Sequence, residues 1–387
     1  MRKVPANPFQ FGRQLGPGEL VDRESEVAAV KRALLERGKL FVIGPRRFGK
    51  TSIINVAESQ AAGEGGVVLR FDAEAFPTPQ QLAERVVAEA AKRLAGPAEK
   101  VHGWLSTMFR RLRPNGVFNA QDGTWTVSFG VDTSAAKAIP NLVEALDGVD
   151  RAAKAKGRPV AVVIDELQAL LGAAGVLAEG QLRAAVQTHE AVGYVFAGSD
   201  TRYLERLTGD PGAAFFNQGA RLFVGAIPDA DMLAFLRRAF ASAGFAVSEA
   251  ALLAILDAAE RVPYNVQALA SECWQRLCAA WTGVWEPANV MESARAVALR
   301  SDPLYTQIWA ALPPPQKNAL IAFVRERGQR LQSERVTHAH RLSSSAMQKA
   351  LGALQDKQIL RSEGVRGVVT LRMQDPFFAL WVDSIAP

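Results

Sequence analysis

The chain has 387 residues, enough for two or three domains at ~100–200 residues each. Hydrophobic residues make up 49% and charged residues 22%, which is typical of folded globular proteins and excludes a wholly disordered chain. The net charge of +6 allows a nucleic-acid partner without requiring one. Apolar runs are far shorter than the ~20 residues of a membrane span, so we expect no membrane association. Two cysteines and an N-terminus without an apolar leader predict a reduced, cytoplasmic protein.

The first two hundred residues alternate strand-like and helical segments, which predicts an α/β fold with a parallel sheet covered by helices. The predicted strands are residues 40–43, 67–71, 160–164, 193–197 and 221–224. The predicted helices are residues 24–37, 51–60, 79–94, 138–156 and 180–191. Turn signals at Asn115-Gly116 and Asp122-Gly123 predict a β-hairpin insertion at about residues 110–131.

After Pro228 the pattern becomes helical and predicts a small lid. Helices are expected at residues 229–241 and 249–261, and a third begins at Pro263, since proline suits the first turn of a helix. Residues 285–290 are predicted to be a linker. The two cysteines, on the third of these helices, are expected to be structural because no histidine pair lies near them at zinc-ligand spacing.

The last part of the chain, from Pro313, predicts a winged helix-turn-helix domain. Three helical segments, the third capped by Ser343, precede two short strands at residues 359–361 and 368–373, in the order that this fold requires. The predicted domains are therefore an α/β core (1–227), a helical lid (228–285) and a winged helix domain (300–387).

One segment matches the P-loop pattern G-x-x-x-x-G-K-[ST] at every position. Its residues are Gly44, Pro45, Arg46, Arg47, Phe48, Gly49, Lys50 and Thr51. The motif follows an apolar strand and precedes a helix, so its backbone amides and the helix N-terminus can surround phosphate groups. Lys50 is predicted to reach the β- and γ-phosphates, and the Thr51 hydroxyl to ligate Mg²⁺. We therefore expect ATP and Mg²⁺ as cofactors.

A pair of carboxylates follows the apolar strand at residues 160–164. Functional residues of parallel sheets gather at the carboxyl ends of the strands, where this pair lies. Asp165 is predicted to hold Mg²⁺ through its waters, and Glu166 to polarise the attacking water. Neighbouring side chains of a strand alternate in direction, so the two carboxylates are expected to have different tasks.

Two further residues each have two interpretations. Ser199 follows the strand predicted between those of the P-loop and Asp165. It either contacts the γ-phosphate or orients the water, or it only caps a loop. Arg221, at the last core strand, either reaches a neighbouring subunit's γ-phosphate as an arginine finger or is a solvated charge at the sheet edge.

These motifs together resemble the archaeal-type ATPases, a branch of the AAA+/STAND group of P-loop NTPases. The matching segments are VDRESE at 21–26, GPRRFGKTS at 44–52, IDELQ at 164–168, AGSD at 197–200, VPYNVQ at 262–267 and DPFFALW at 375–381. The resemblance implies an AAA-like P-loop core, a helical lid and a winged helix, in the order predicted from the pattern.

The resemblance also implies roles for single residues. Arg23 is expected near the adenine pocket, Ser52 among the nucleotide-binding residues, and the Pro263 region over the bound nucleotide. The chain departs from the family at Arg221, which one extra residue separates from Gly219. Some relatives continue into a nuclease-like domain, whereas this sequence stops soon after Trp381, so we expect no nuclease.

The winged helix domain could contact either DNA or protein. Residues 301–387 carry eleven Lys and Arg against seven Asp and Glu, a net charge of +4. The polar residues expected to face outward on the third helix are Ser344, Ser345, Gln348, Lys349 and Gln355, and Arg366 is expected at the wing tip. Such residues suit contacts to phosphates and base edges, although winged helices of similar ATPases also pack against protein.

The sequence as a whole predicts a Mg²⁺-dependent ATPase whose nucleotide state sets a conformational switch, linked to DNA or protein by the winged helix. An oligomer is compatible with this interpretation. The alternatives are a DNA-binding regulator in which ATP is a slowly hydrolysed ligand, and a scaffold that recruits protein partners through residues 110–131.

Overall fold

The computed structural model describes residues 6–76, 78–95, 101–110, 112, 115–119, 124–128, 139–280, 284–365 and 368–385. It contains two compact units. The first, called the core unit here, comprises Gln14–Pro45 and Gly49–Gly225. The second, the C-terminal unit, comprises Ala226–Pro387 with Met1–Arg13 and three residues of the P-loop, Arg46–Phe48.

The strands of the core unit are β1 (Lys39–Ile43), β2 (Val67–Asp72), β3 (Asn115–Asn119), β4 (Thr124–Ser128), β5 (Val160–Asp165), β6 (Val192–Gly198) and β7 (Ala220–Phe223). Five of them form a parallel sheet in the order β2-β5-β6-β1-β7. Every residue of β5 and β6 is buried, as expected for apolar strands covered on both faces. The five predicted core strands are confirmed, and β3 and β4 form the predicted antiparallel hairpin.

The helices of the core unit are α1 (Glu24–Leu35), α2 (Lys50–Gly63), α3 (Pro79–Leu94), α4 (Val101–Met108), α5 (Pro140–Lys156), α6 (Leu167–Thr188) and α7 (Thr201–Gly209). Helix α6 begins directly after Glu166, so its predicted start at residue 180 is wrong. Glycines make this segment look unhelical, and Gly175 is indeed non-helical with φ 79° and ψ −175°. The burial of Leu167 and Leu171 in the core outweighs the low helix propensity of glycine.

The first helices of the C-terminal unit are α8 (Asp229–Ser242), α9 (Glu249–Ala258), α10 (Pro263–Ala280), α11 (Pro287–Arg300) and α12 (Asp302–Ala310). Phe9 packs on Phe240 and Trp274, with ring centroids 4.9 and 6.0 Å away. The linker predicted at residues 285–290 is wrong, because α11 begins there. Its start is fixed by a capping box between Glu286 and Asn289.

Both cysteines lie on α10 as predicted. They are free thiols, Cys273 buried and Cys278 half-buried. Burial raises the pKa of the Cys273 thiol to about 11, so this sulfur is protonated and unreactive at neutral pH. In the part of the chain that the structure describes, each helix is too short or too polar to cross a bilayer.

The remaining elements are α13 (Pro314–Arg325), α14 (Glu334–Ala339), α15 (Ser344–Asp356), β8 (Leu360–Val365), β9 (Val368–Met373) and α16 (Pro376–Ile385). Ser343 caps α15 as predicted, accepting a hydrogen bond from the Ala346 N–H at 3.1 Å. Strands β8 and β9 pair antiparallel, so the winged helix order of three helices and a hairpin is confirmed. Arg366 lies outside the described residues.

Helix α16 follows the winged helix hairpin and was not predicted. Its aromatic side chains Phe378 and Trp381 stack with centroids 5.7 Å apart, and Phe378 lies 5.0 Å from the ring of Tyr305. The Trp381 Nε1–H donates to Asp302 at 2.7 Å. The late DPFFALW segment is therefore an aromatic helix docked on α12.

Candidate nucleotide site

The glycines of the P-loop are required for two different reasons. Gly49 has φ +92°, a left-handed conformation that side chains disfavour, and it directly precedes α2. Gly44 follows β1, and a Cβ atom built on it would lie 2.4 Å from the carbonyl oxygen of Val224. Gly49 thus permits the loop to turn into the helix, and Gly44 permits close approach of two backbone segments.

The side chain of Lys50 points back into the P-loop, which precedes this residue in the sequence. Its side chain is buried, and Nζ donates to the carbonyl oxygens of Gly44 at 2.7 Å and Pro45 at 3.0 Å. The ammonium group is therefore held where the loop closes, at the N-terminus of α2. This position brings the charge of Lys50 and the partial positive charge of the helix end together, as phosphate binding requires.

Thr51 and Asp165 meet as the sequence predicts. The Thr51 hydroxyl donates to Asp165 Oδ2 at 3.4 Å, across the carboxyl ends of β1 and β5. Both groups are hard oxygen donors, and Mg²⁺ is commonly held by one or two protein oxygens while keeping several waters. Among the described residues there is no group of three or more His, Cys, Asp or Glu that could hold a metal, so the donor set fits Mg²⁺ better than a fully protein-coordinated ion.

Arg70 is a polar neighbour of this pair that sequence reasoning missed. Its guanidinium lies 3.2 Å from Asp165 and 3.4 Å from Glu58. Burial raises the pKa of Glu58, and the charge of Arg70 opposes this shift. An arginine inside the apolar run of β2 was the available signal, because a charge on a buried strand needs a partner.

Glu166 is held by several donors at the start of α6. It adopts a left-handed conformation, with φ 50° and ψ 46°, and its Oε2 accepts from the Ser199 N–H at 3.0 Å and the Ser199 hydroxyl at 2.8 Å. Gln168 Nε2 donates to the same oxygen at 2.5 Å. Burial raises the pKa of Glu166, but these hydrogen bonds and the charge of Lys50 outweigh it, so the pKa is lowered.

The other predicted residues have distinct environments. Strand β6 lies between β5 and β1, so Ser199 is placed as predicted, while Asp200 rather than Ser199 caps α7. Arg221 is exposed on the edge strand β7, and its role as a finger stays a prediction. The guanidinium of Arg23 donates to Glu26 at 2.7 Å and to the Gly225 carbonyl at 2.5 Å.

Two further residues anchor backbone or begin a helix. Ser52 Oγ accepts from the Leu15 N–H at 3.1 Å, which ties the segment before α1 to α2. Pro263 is the first residue of α10. Their predicted contacts with the nucleotide stay predictions.

The tip of the P-loop contacts residues of the C-terminal unit, to which it belongs. Arg47 Nη1 lies 2.6 Å from Asp375 Oδ2, and its guanidinium lies over the ring of Tyr264 at 5.0 Å. The Arg46 carbonyl accepts from Gln374 Nε2 at 3.2 Å. Phe48 is buried, and the guanidinium of Arg361 lies 5.2 Å from its ring.

The comparisons with known proteins agree with this geometry. Residues 303–384 match the family model of a probable winged helix domain. The chain is similar in structure to the Walker-type ATPase PABY2304 of Pyrococcus abyssi, with a TM-score of 0.63 and 14% identity over 97% of this chain and 99% of that one. It is also similar to the ORC2 protein of Aeropyrum pernix in its ADPNP-ADP complexes, with a TM-score of 0.55 and 13% identity over 98% and 97%.

No curated protein matches the sequence significantly. At 13–14% identity the similar structures establish the fold alone. The chain thus has the fold of a P-loop ATPase with a five-stranded parallel sheet and a C-terminal winged helix domain. The resemblance inferred from the motifs is confirmed at this level.

Proposed function

We propose that this protein is a Mg²⁺-dependent ATPase whose nucleotide state drives a conformational switch, coupled to DNA or protein through the winged helix. The observation that carries the proposal is the meeting of three groups at adjacent strand ends. They are the buried Lys50, the Thr51–Asp165 pair at 3.4 Å, and Glu166 held by Ser199. Phosphoryl transfer needs a cation for the phosphates, a metal site and a group that activates water.

An adenine nucleotide is the proposed substrate. The Aeropyrum pernix protein of the same fold was solved as ADPNP-ADP complexes, which supports ATP over other triphosphates. The division into a core at residues 1–227, a lid at 228–285 and a winged helix domain at 300–387 is part of the same proposal. So is the oligomer that Arg221 would need in order to act as a finger.

The chain's own residues would act in a defined order. Lys50 exchanges the carbonyls of Gly44 and Pro45 for phosphate oxygens. Thr51 and Asp165 would hold Mg²⁺, which would supply neutralisation of charge on the phosphates. Glu166 takes a proton from the attacking water. The water oxygen bonds to the γ-phosphorus and the bond to the β–γ bridging oxygen breaks, which gives ADP and inorganic phosphate. The lowered pKa of Glu166 keeps this base ionised at neutral pH.

The exposed surface of the winged helix domain favours DNA as the partner. On α15 the side chains of Ser344, Ser345, Gln348 and Lys349 are exposed and Gln355 is half-buried, while Met347 and Leu354 face the core. Exposed arginines lie on α13 and α14 and in the loops that follow these two helices, at Arg325, Arg327, Arg330, Arg335 and Arg341. Basic and amide side chains on one domain can contact phosphates and base edges.

The enzymatic part is tested by ATP binding and turnover across a magnesium titration. Glu166→Gln should bind ATP·Mg²⁺ normally while kcat falls by about 10²–10⁴, the usual effect of removing a positioned base. Asp165→Asn should instead raise the magnesium concentration needed for half-maximal turnover. Normal turnover by Glu166→Gln would remove the catalytic role and favour the regulator in which ATP is only a ligand.

The DNA part is tested by titrating a labelled duplex at several salt concentrations. Binding through phosphates predicts that the logarithm of affinity falls linearly with the logarithm of salt. Lys349→Ala should reduce this slope by about one contact. Lys92→Ala, an exposed lysine of α3 in the core unit, is the matched control and should leave the slope unchanged. A duplex affinity independent of salt would favour a protein partner instead.

A further inference from the structure

Glu166 receives a third hydrogen bond from a residue that the proposed function does not assign. Gln168 lies in the first turn of α6, two residues after Glu166. Its Nε2 is 2.5 Å from Glu166 Oε2 and 3.4 Å from Ser199 Oγ. With the N–H and hydroxyl of Ser199, three donors therefore meet the same carboxylate oxygen.

The surroundings of Gln168 accommodate this orientation specifically. A Cβ atom at Gly198, the last residue of β6, would lie 2.2 Å from Gln168 Oε1, so the side chain occupies space that only glycine leaves open. Within the described residues, the buried Oε1 has no hydrogen-bond partner. The amide thus keeps its donor on Glu166 although its acceptor is unsatisfied; turning it over would place Oε1 against the carboxylate, where two acceptors repel.

The backbone of Glu166 explains why its carboxylate needs such restraint. The residue adopts a left-handed conformation that costs roughly 1–2 kcal/mol for a side chain other than glycine. This conformation sends the chain from β5 into α6 in a single residue. The side chain projects from this tight turn, and its carboxylate is held there by the three hydrogen bonds to Oε2.

We infer that Gln168 is a positioning residue for Glu166: together with Ser199 it saturates Oε2 and leaves Oε1 as the atom that accepts the proton of the attacking water. The inference rests on the proposed function. It adds that Glu166 and Gln168 act together, with the glutamate as the base and the glutamine as the donor that orients it. Ser199 also acts through the carboxylate of Glu166.

The test compares Gln168→Leu, a slightly shorter apolar side chain without a donor, with the parent chain. We expect kcat to fall about 10- to 100-fold, as for loss of a bond to a charged group, with KM for ATP within about twofold. Gln187→Leu, the same change at an exposed position of α6, is the control and should alter neither quantity.

Each other result decides the matter. If Glu166→Gln has lost turnover but Gln168→Leu keeps the parent kcat, the proposed function stands and Gln168 is not a positioning residue. If Glu166→Gln turns over normally, the proposed function itself fails. Gln168→Met, a flexible side chain of similar length without a donor, replaces Gln168→Leu in the test if that variant does not fold. Parent-like kinetics of Gln168→Met would equally overturn the assignment of Gln168 as a positioning residue.

Discussion

The two ends of the P-loop differ in what they contact. At Gly49–Thr51 the contacts are to backbone carbonyls and to the carboxylate of Asp165, all within the core unit. At Arg46–Phe48 the contacts are to side chains of the C-terminal unit, above all Asp375 and Arg361. One stretch of eight residues thus serves two sets of partners.

This difference shows what the fixed and variable positions of the P-loop pattern G-x-x-x-x-G-K-[ST] each specify. Each fixed position has its own requirement: Gly49 needs a positive φ, Gly44 needs space beside the Val224 carbonyl, and Lys50 supplies the charge for the phosphates. The variable positions need only leave the loop backbone undisturbed, so their side chains are available for another purpose. Of the four variable positions, Arg47 and Phe48 contact Asp375 and Arg361 through their side chains, and Arg46 contacts Gln374 through its carbonyl oxygen.

The largest effect is expected at the fixed end. Lys50→Ala removes the cation that faces the phosphates while an alanine at the start of α2 favours the helix. ATP affinity measured by calorimetry should weaken by at least ~10–100-fold, the loss of a charge-assisted contact of ~1.5–3 kcal/mol. Lys92→Ala, exposed on α3, should bind as the parent does. Undiminished ATP affinity in Lys50→Ala would remove the nucleotide assignment.

A smaller effect is expected where the loop needs space. Gly44→Ala places a Cβ 2.4 Å from the Val224 carbonyl oxygen, and backbone must shift to relieve it. Urea unfolding should show a loss of about 1–3 kcal/mol, the usual effect of overpacking. Gly63→Ala meets no atom within 4 Å and has no positive φ, so it should be neutral or stabilising. Equal stability of the two variants would contradict the close approach.

The fixed end of the loop was predictable from sequence, and its tip was not. Lys50, Thr51 and Asp165 were found because a complete motif and a strand-end carboxylate have one common explanation. The partners of Arg47 were not, since Asp375 is 328 residues away and no local pattern encodes a distant pairing. The DPFFALW segment was identified only by resemblance, and neither its helix nor its contact with the loop followed from its residues.

Other differences have local causes. Arg70 and Gln168 were missed because each is a single polar residue beside a stronger signal, an apolar strand or the carboxylate pair. The first half of α6 was missed because its glycines lower helix propensity, which core burial overrides. Strands β5 and β6 were predicted well, because short continuous apolar runs bounded by turns are typical of buried strands.

The smallest effect is expected at the variable end. Arg47 and Asp375 are 37% and 20% exposed, so solvent screens their ion pair and its contribution should be about 0.2–1 kcal/mol. A double-mutant cycle with Arg47→Ala and Asp375→Asn, read by urea unfolding, measures this coupling directly. The pair Arg237–Glu249 in the same unit is more exposed, at 56% and 54%, and provides the control cycle.

We expect the Arg47–Asp375 coupling to exceed that of Arg237–Glu249, because the first pair is less exposed and Arg47 is also held by the Tyr264 ring and by Asn265 at 3.4 Å. A cation restrained by other contacts loses less entropy when it forms an ion pair. Both couplings should weaken as salt rises, the exposed pair more steeply. A coupling energy of zero at Arg47–Asp375 would mean that this ion pair does not hold the loop tip, and the comparison of the two ends would then rest on the other contacts of the tip, such as the Gln374 amide on the Arg46 carbonyl and the Arg361 guanidinium on the Phe48 ring.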